Sequence, residues 1–312
     1  MDVPGAEAST DDVLGTTDLS GLEVLVTGTS AGLGVETARA LSTRGAHVTG
    51  VVRDVEKARR ALDEAGATGV DLRQADLASF DSVRAVTDGL LAQGPDHLDV
   101  VIANAGIMAC PHRTTADGIE MQFGTNHLGH FLLVNRLAPL LLAGAPSRVV
   151  MLSSAGHRFG DVDLEDPNFE RGDYDPWVAY GRAKTANVLF AVELDRRLRD
   201  RGVRATALHP GGIITELGRH LTDESIATLL EARGARELEW KSVPQGAATS
   251  VWAGFVAEAD EVGGRYCEDC AVAPVIDDSD ESPGVMRYAL DPDTAAGLWT
   301  LSERMVGETF DL

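Results

Sequence analysis

Tyr180 and Lys184 stand four residues apart in the stretch AYGRAKTANVLF, residues 179–190. On a helix that spacing brings two side chains onto one face, ~6 Å apart along the axis. A phenol and an ammonium so placed can share work on one proton. A free phenol, with a pKa near ~10, is too weak an acid for neutral pH, and a neighbouring cation favours its ionised form. The same spacing also suits a packed ring with a lysine stem lying along it. The surrounding elements have to decide.

Glycines mark a second place for chemistry. In TGTSAGLG, residues 27–34, Gly28, Gly32 and Gly34 follow an apolar run and open a helical one. Such a turn carries no Cβ obstruction, and the free N–H groups and positive end of the following helix suit a pyrophosphate. The letters GTSAG also fit a G-x-S-x-G nucleophile elbow with Ser30 as nucleophile. That elbow lies deep in a hydrolase sheet, whereas this turn follows the first strand, and Gly34 is one glycine more than an elbow needs. The phosphate cradle is carried forward, with a Ser30 hydrolase kept as an alternative.

These groups need elements to hold them, and the chain supplies an alternation. EVLVTG (23–28) is a short apolar run, LGVETARALSTRG (33–45) has helical spacing, and AHVTGVVR (46–53) is apolar again. The pattern continues with a helix near 54–65, a strand near 69–75, a helix near 79–92 and LDVVIANAG (98–106). A long helix around 116–142, SRVVMLSS (147–154), the Tyr180 helix and VRATALHPG (203–211) follow. Buried runs alternating with amphipathic helices predict an α/β fold: one doubly wound parallel sheet, a single domain over residues 20–312. Residues 1–19 read as a flexible tail. Beyond 211 the spacing predicts uneven helix over 213–240, firm helix over 244–257, a last strand in GGRYCED (263–269) and a closing helix over 294–306. Ligands of open α/β sheets bind outside the carboxyl ends of the strands. Residues 155–176 and a helical lobe over about 212–243 are therefore expected to enclose a small-molecule substrate. His157, Phe159, Trp177, Leu217, Leu221 and Leu229 would line a pocket for a medium-sized apolar molecule.

The formal net charge of −22 over 312 residues opposes nucleic acid and anionic lipid, and no basic stripe interrupts it. Acidic runs at 161–175 and 277–281 read as solvated loops. No run of about 18 apolar residues occurs, and the N-terminus lacks the basic flank and apolar centre of a signal peptide, so a cytoplasmic protein without a membrane anchor is expected. Cys110, Cys267 and Cys270 are too few for a disulfide framework. CEDC (267–270) has no second pair at zinc spacing, and His127 and His130 share a helical face without an obvious third ligand. No metal is assigned.

Taken in order, the motifs make the chain resemble a short-chain dehydrogenase/reductase over about residues 20–310. The glycine motif is matched by Thr27, Gly28, Gly32 and Gly34, and the N-A-G motif by Asn104, Ala105 and Gly106. Ser154, Tyr180 and Lys184 match the Ser-Tyr-Lys set, and Pro210, Gly211 and Thr215 the Pro-Gly turn with its later threonine. DGIEMQFGTNHLGHFLL (117–133), AYGRAKTANVLF and HPGGIITEL (209–217) resemble the retinol-dehydrogenase-like branch and its soluble bacterial relatives. The resemblance implies a Rossmann fold, a nicotinamide cofactor and redox chemistry on a hydroxyl or carbonyl. It implies that Tyr180 is the acid/base, that Ser154 bonds the substrate oxygen, and that Lys184 holds the nicotinamide ribose and, with the cofactor, lowers the Tyr180 pKa. Asn126 matches the helix asparagine that supports a water leading toward Lys184; the nearby Gly129, costly inside a helix, predicts a local irregularity. The family pattern and strand alternation select Ser154 over Ser153. Ser30, Leu33, Leu77 and Ile213 fall in the same motifs and are expected at the cofactor, as is Asp76 at the adenine edge.

Cofactor choice is read at the end of the second strand. Enzymes selecting NAD place an acid there for the 2′-hydroxyl, but this chain has Val52 and then Arg53, a planar cation suited to a 2′-phosphate. Asp54 follows, with helix capping as its task. NADP(H) is favoured over NAD(H). Ile214 replaces a basic residue common in relatives, predicting a more apolar substrate mouth. The resemblance also admits a homodimer or homotetramer paired through the helices at 116–142 and 176–201. The expected function is an NADP(H)-dependent alcohol–carbonyl oxidoreductase; the alternative from another class is a family fold with a non-redox or cofactor-sensing role.

Overall fold

The strands carry apolar residues for two faces. In β1 (Glu23–Thr27), Leu25 joins one core while Val24 and Val26 join another. In β4 (Val100–Ala103), Val101 and Ala103 share the core of Leu25, and Val100 and Ile102 the opposite one. A strand apolar on both faces has to be covered twice, and helices on both sides of a parallel sheet do this. The computed structural model describes residues 4–218, 240–278 and 283–312.

Along the chain the elements run α1 (Thr10–Leu14), β1, α2 (Gly32–Ser42), β2 (His47–Val52), α3 (Val55–Ala65), β3 (Asp71–Gln74), α4 (Phe80–Gln93) and β4. Then come α5 (Met121–Phe123), α6 (Gly129–Arg136), α7 (Ala138–Ala143), β5 (Ser147–Leu152), α8 (Pro176–Leu198) and β6 (Val203–His209). The described chain closes with α9 (Val243–Val251), α10 (Ala259–Val262), β7 (Tyr266–Glu268), β8 (Ala271–Val272), β9 (Val275–Ile276), β10 (Val285–Met286) and α11 (Pro292–Val306). The main sheet has the order β3-β2-β1-β4-β5-β6-β7-β8. It is parallel except for the β7–β8 hairpin, which the sequence reading did not separate. The order reverses direction at β1, so a crevice opens between the carboxyl ends of β1 and β4. The predicted α/β doubly wound sheet is the observed one.

Two differences from the sequence reading have clear causes. The long helix around 116–142 is broken: a π turn spans Gly124–Leu128 between α5 and α6, where the Gly129 N–H reaches back to the Gly124 carbonyl. The irregularity expected beside Gly129 is therefore present. The second difference is a correction. Residues 4–19, expected as part of a flexible tail, are docked: Ser9 and Asp12 form a capping box on α1, and Val13, Leu14 and Leu19 join the core on the α2 side. Arg39 and Arg44 hold Asp11 at 3.0 and 2.9 Å. The S-x-x-D signal before an apolar pair was legible, but its docking surface was not.

Most of the expected substrate lobe, including Leu221 and Leu229, lies outside the described residues. The helices expected to pair two copies are covered by the chain itself. Trp299 of α11 packs on Phe131 and Phe190 with ring centres 5.1 and 5.9 Å away, and Ser302 bonds His127 Nε2 at 2.9 Å. Glu308, just past α11, binds Arg84 and Arg136, each at 2.6 Å. Among the described residues no helix is long and apolar enough to cross a membrane.

The docked N-terminus is testable. Leu14 is only 2 % exposed, so Leu14→Ala is expected to lower unfolding stability by about 2–5 kcal/mol. Urea denaturation that shows a change under about 0.5 kcal/mol would return residues 4–19 to the status of a tail.

Candidate active site

At the carboxyl end of β1 the chain turns at Gly28, with φ +80, and re-enters helix at Gly32. A Cβ on Gly34 would lie 2.2 Å from the Gly28 carbonyl oxygen, so this close approach of helix to turn admits only glycine. Ala31, the N-cap, makes no side-chain bond to the first turn of α2. The backbone N–H groups there are thus left to an external acceptor, with the helix dipole behind them.

The turn forms one wall of a cavity of about 830 Å³. It runs from Arg53 and Asp76 past Asn104, Ala105 and Gly106 to Ser154 and Tyr180. Of the catalytic and cofactor residues the sequence reading placed at the site, all border this cavity except Asn126. Asn126 is buried behind it, on the π turn. Its Oδ1 accepts from Ile107 N–H at 2.8 Å and its Nδ2 donates to the Ile107 carbonyl at 2.9 Å. The amide thus clamps the loop after β4 from both sides.

Ser154 follows β5 in extended backbone and starts a short 3₁₀ turn, its Oγ accepting from Gly156 N–H at 3.0 Å. That bond uses an oxygen lone pair and leaves the hydroxyl proton able to donate into the cavity. Tyr180 and Lys184 lie on α8, both buried, with Lys184 Nζ 5.7 Å from the centre of the phenol ring. Lys184 Nζ donates to the Leu152 carbonyl at 3.0 Å. Ser153 points elsewhere, donating to the Lys184 carbonyl at 2.8 Å. The depression of the Tyr180 pKa was expected from Lys184 and the cofactor together, and within the protein alone the shift runs upward. Burial pushes the phenol up to about 12, the Ser154 bond opposing it, and burial brings the Lys184 ammonium down to about 8. Desolvation penalises both charged forms.

At the far end, Asp54 caps α3 by accepting from Lys57 N–H at 2.9 Å, the task expected of it. Arg53 is exposed at the rim, and Lys57, one turn along α3, borders the same end of the cavity. The Lys57 ammonium pairs with Glu216. Asp76 accepts from Ala78 N–H at 3.0 Å through Oδ1. Thr215 lies over the glycine turn, where a Cβ on Gly32 would meet its Cγ2 at 3.0 Å. Phe159, Trp177 and Leu217 line the cavity as expected, but His157 does not. It is fully buried, with Nδ1 donating to the Ser154 carbonyl at 2.7 Å and Nε2 accepting from Met286 N–H at 3.1 Å.

Residues 23–225 match the sequence profile of the short chain dehydrogenases. The chain belongs to the short-chain dehydrogenase/reductase family. It is 43 % identical over 289 residues to a Streptomyces lividans probable oxidoreductase, covering 90 % of this chain and 96 % of that protein. Human retinol dehydrogenase 14 is 40 % identical over 309 residues, covering 93 % and 87 %. A crystal structure of an uncharacterized Mycobacterium paratuberculosis protein superposes with a TM-score of 0.75 at 35 % identity, over 96 % of this chain and 98 % of that one. The short-chain dehydrogenase is accordingly an NAD(P)-dependent oxidoreductase of the CH–OH/C=O class, and the nucleophile-elbow reading of Ser30 is dropped.

Sequence reasoning missed Lys57 and Trp240 at the cavity. The spacing of Lys57 from Arg53, one turn on, was a usable signal; Trp240 reaches the mouth only through the return of the chain after the lobe. Trp240 and Ile214 both border the cavity and are exposed.

Gly156 sets a test of this packing. A Cβ there would meet the Tyr180 ring at 2.7 Å, so Gly156→Ala is expected to lower kcat by about tenfold or more through displacement of the phenol. Dinucleotide affinity, measured by calorimetry, should stay within about twofold. An unchanged kcat would mean that the ring position is not critical.

Proposed function

We propose that this short-chain dehydrogenase interconverts an alcohol and a carbonyl on a medium-sized apolar molecule with NADP(H), using Tyr180 as acid/base. The observation that carries the reading is the meeting, in one cavity, of the glycine turn with Ser154, Tyr180 and a buried Lys184. The glycine cradle and the uncapped start of α2 fit a pyrophosphate, and Arg53 with Lys57 fits a 2′-phosphate. Asp54 directs one carboxylate oxygen to the α3 backbone, accepting from Lys57 N–H at 2.9 Å, and a 2′-phosphate would compete with Glu216 for the Lys57 ammonium.

The dinucleotide, when bound, supplies or accepts the hydride. The chain does the rest. Ser154 donates to the substrate oxygen and steadies charge that develops on it. Tyr180 delivers a proton to that oxygen in reduction and removes it in oxidation. Lys184, a cation below its pKa of about 8, favours the phenolate that remains. Phe159, Trp177 and Leu217 exclude water from the reacting carbon.

Tyr180→Phe tests the acid/base directly: turnover of a carbonyl substrate should fall by about 100-fold or more, and near-native turnover would reject the role. Stoichiometric NADPH binding without consumption across a broad carbonyl panel would favour the sensing alternative. Arg53→Ala and Lys57→Ala should each weaken NADPH binding by about tenfold while leaving NADH within about twofold; equal losses for both dinucleotides would remove the 2′-phosphate assignment. The pH profile follows from Lys184. Its lowered pKa keeps the ammonium charged below about 8 and neutral above, so kcat/KM for carbonyl reduction should hold steady at lower pH and decline through about 8. A profile flat to about pH 10, the range of an unshifted lysine, would count against Lys184.

A further inference from the structure

His130 lies on α6, fully buried and outside the cavity lining. None of the catalytic or cofactor roles includes it, yet both of its ring nitrogens are engaged. Nδ1 lies 2.9 Å from the Asn126 carbonyl oxygen, and Nε2 lies 2.9 Å from Thr27 Oγ1. A carbonyl can only accept, so Nδ1 carries the proton, Nε2 is the acceptor, and the Thr27 hydroxyl donates to it.

That direction has consequences for Thr27. With its proton committed to His130, its oxygen accepts from the N–H groups of Asn104 and Ala105, each at 2.9 Å. The Asn104 side chain returns a bond to the Thr27 carbonyl at 2.7 Å. At the other end of the ring, Asn126 clamps Ile107 through its amide. The segment Asn104–Ile107 is thereby fixed at its start by Thr27 and at its end by Asn126, and His130 joins the two anchors into a closed circuit. The circuit borders the proton machinery. A Cβ on Gly106 would lie 3.2 Å from Asn126 Oδ1 and 3.7 Å from Lys184 Nζ.

We infer that His130 is a positioning residue for the reaction: by donating to the Asn126 backbone and accepting from Thr27, it holds the Asn104–Ile107 wall in register with Lys184 and the cofactor cleft. Only a neutral imidazole offers one donor and one acceptor across this span on a rigid ring. Burial supports that state, lowering the His130 pKa to about 4. An apolar replacement would leave the Asn126 carbonyl without this donor and free the Thr27 hydroxyl to turn. The inference rests on the proposed role of the cavity in NADP(H) chemistry.

His130→Phe and His130→Gln test it in the full chain, the glutamine amide carrying a donor and an acceptor. In His130→Phe, kcat should fall by about tenfold or more and NADPH affinity by about threefold or more, with substrate KM within about threefold, since small misplacements at a reacting centre are costly. His130→Gln should recover most of both losses. Parent values in His130→Phe, or a glutamine variant as impaired as the phenylalanine one, would overturn the inference. A readout that needs no substitution to fold is ¹⁵N NMR of the histidine rings. His130 is expected as the neutral Nδ1–H tautomer from about pH 5 to 9, a window above its lowered pKa. An Nε2–H tautomer, or protonation within that range, would refute the circuit. Should Tyr180→Phe retain turnover, the acid/base reading fails, while the ring spectrum and the NADPH affinity of His130→Phe still decide the case of His130.

Discussion

Removing the Tyr180 phenol and the Lys184 ammonium from water favours the neutral form of each, and the rest of the site is arranged around that cost. The phenol rises to about 12 and the ammonium falls to about 8, both chiefly through burial. The chain supplies partners selectively. Ser154 favours the phenolate, and the Leu152 carbonyl receives the ammonium. A one-turn spacing on α8 places both groups beside the same crevice, but the dry surroundings set their acidity. A further positive charge near the phenol would act at full strength there, because little water screens it.

The dry surroundings come from the two-sided sheet. Each face has its own apolar core, and the crevice at the switch between β1 and β4 lies between elements fixed by both. Side chains used at the site therefore stand on strand ends and helices whose positions are set by packing. The π turn at Gly124–Leu128 departs from regular helix next to this crevice, and its Asn126 spends its amide on the loop after β4. The departure from regular helix is matched by a specific gain in loop positioning.

Charge is distributed on the same principle. With a net charge of −22, the protein as a whole repels an anionic cofactor, so attraction has to be local. In the proposed reading, backbone N–H groups at the glycine turn and two cations at the rim, Arg53 and the Glu216-paired Lys57, provide it. The remaining arginines serve largely in structural ion pairs, as with Arg84 of α4 and Arg136 of α6 around Glu308, which fasten the end of the chain beside α11 to those two helices.

The sequence by itself determined the fold class, the glycine turn, the Ser154–Tyr180–Lys184 set and the cavity residues around them. The fold class and the glycine turn depend on local periodicity and short motifs, the Tyr180–Lys184 pairing on helix spacing, and Ser154 with the cavity residues on the family resemblance. Tertiary structure decided what depends on neighbours remote in the chain. It docked residues 4–19 through Leu14, moved His157 behind Ser154 and covered α6 with Trp299. It also set the Tyr180 pKa within the protein alone, which burial raises, because a one-turn spacing states how near a cation lies but not how much water has been excluded. His130 shows the same limit. Its two partners, Thr27 and Asn126, are brought to opposite ends of one ring only when β1 and the π turn pack together, and no local pattern encodes that meeting.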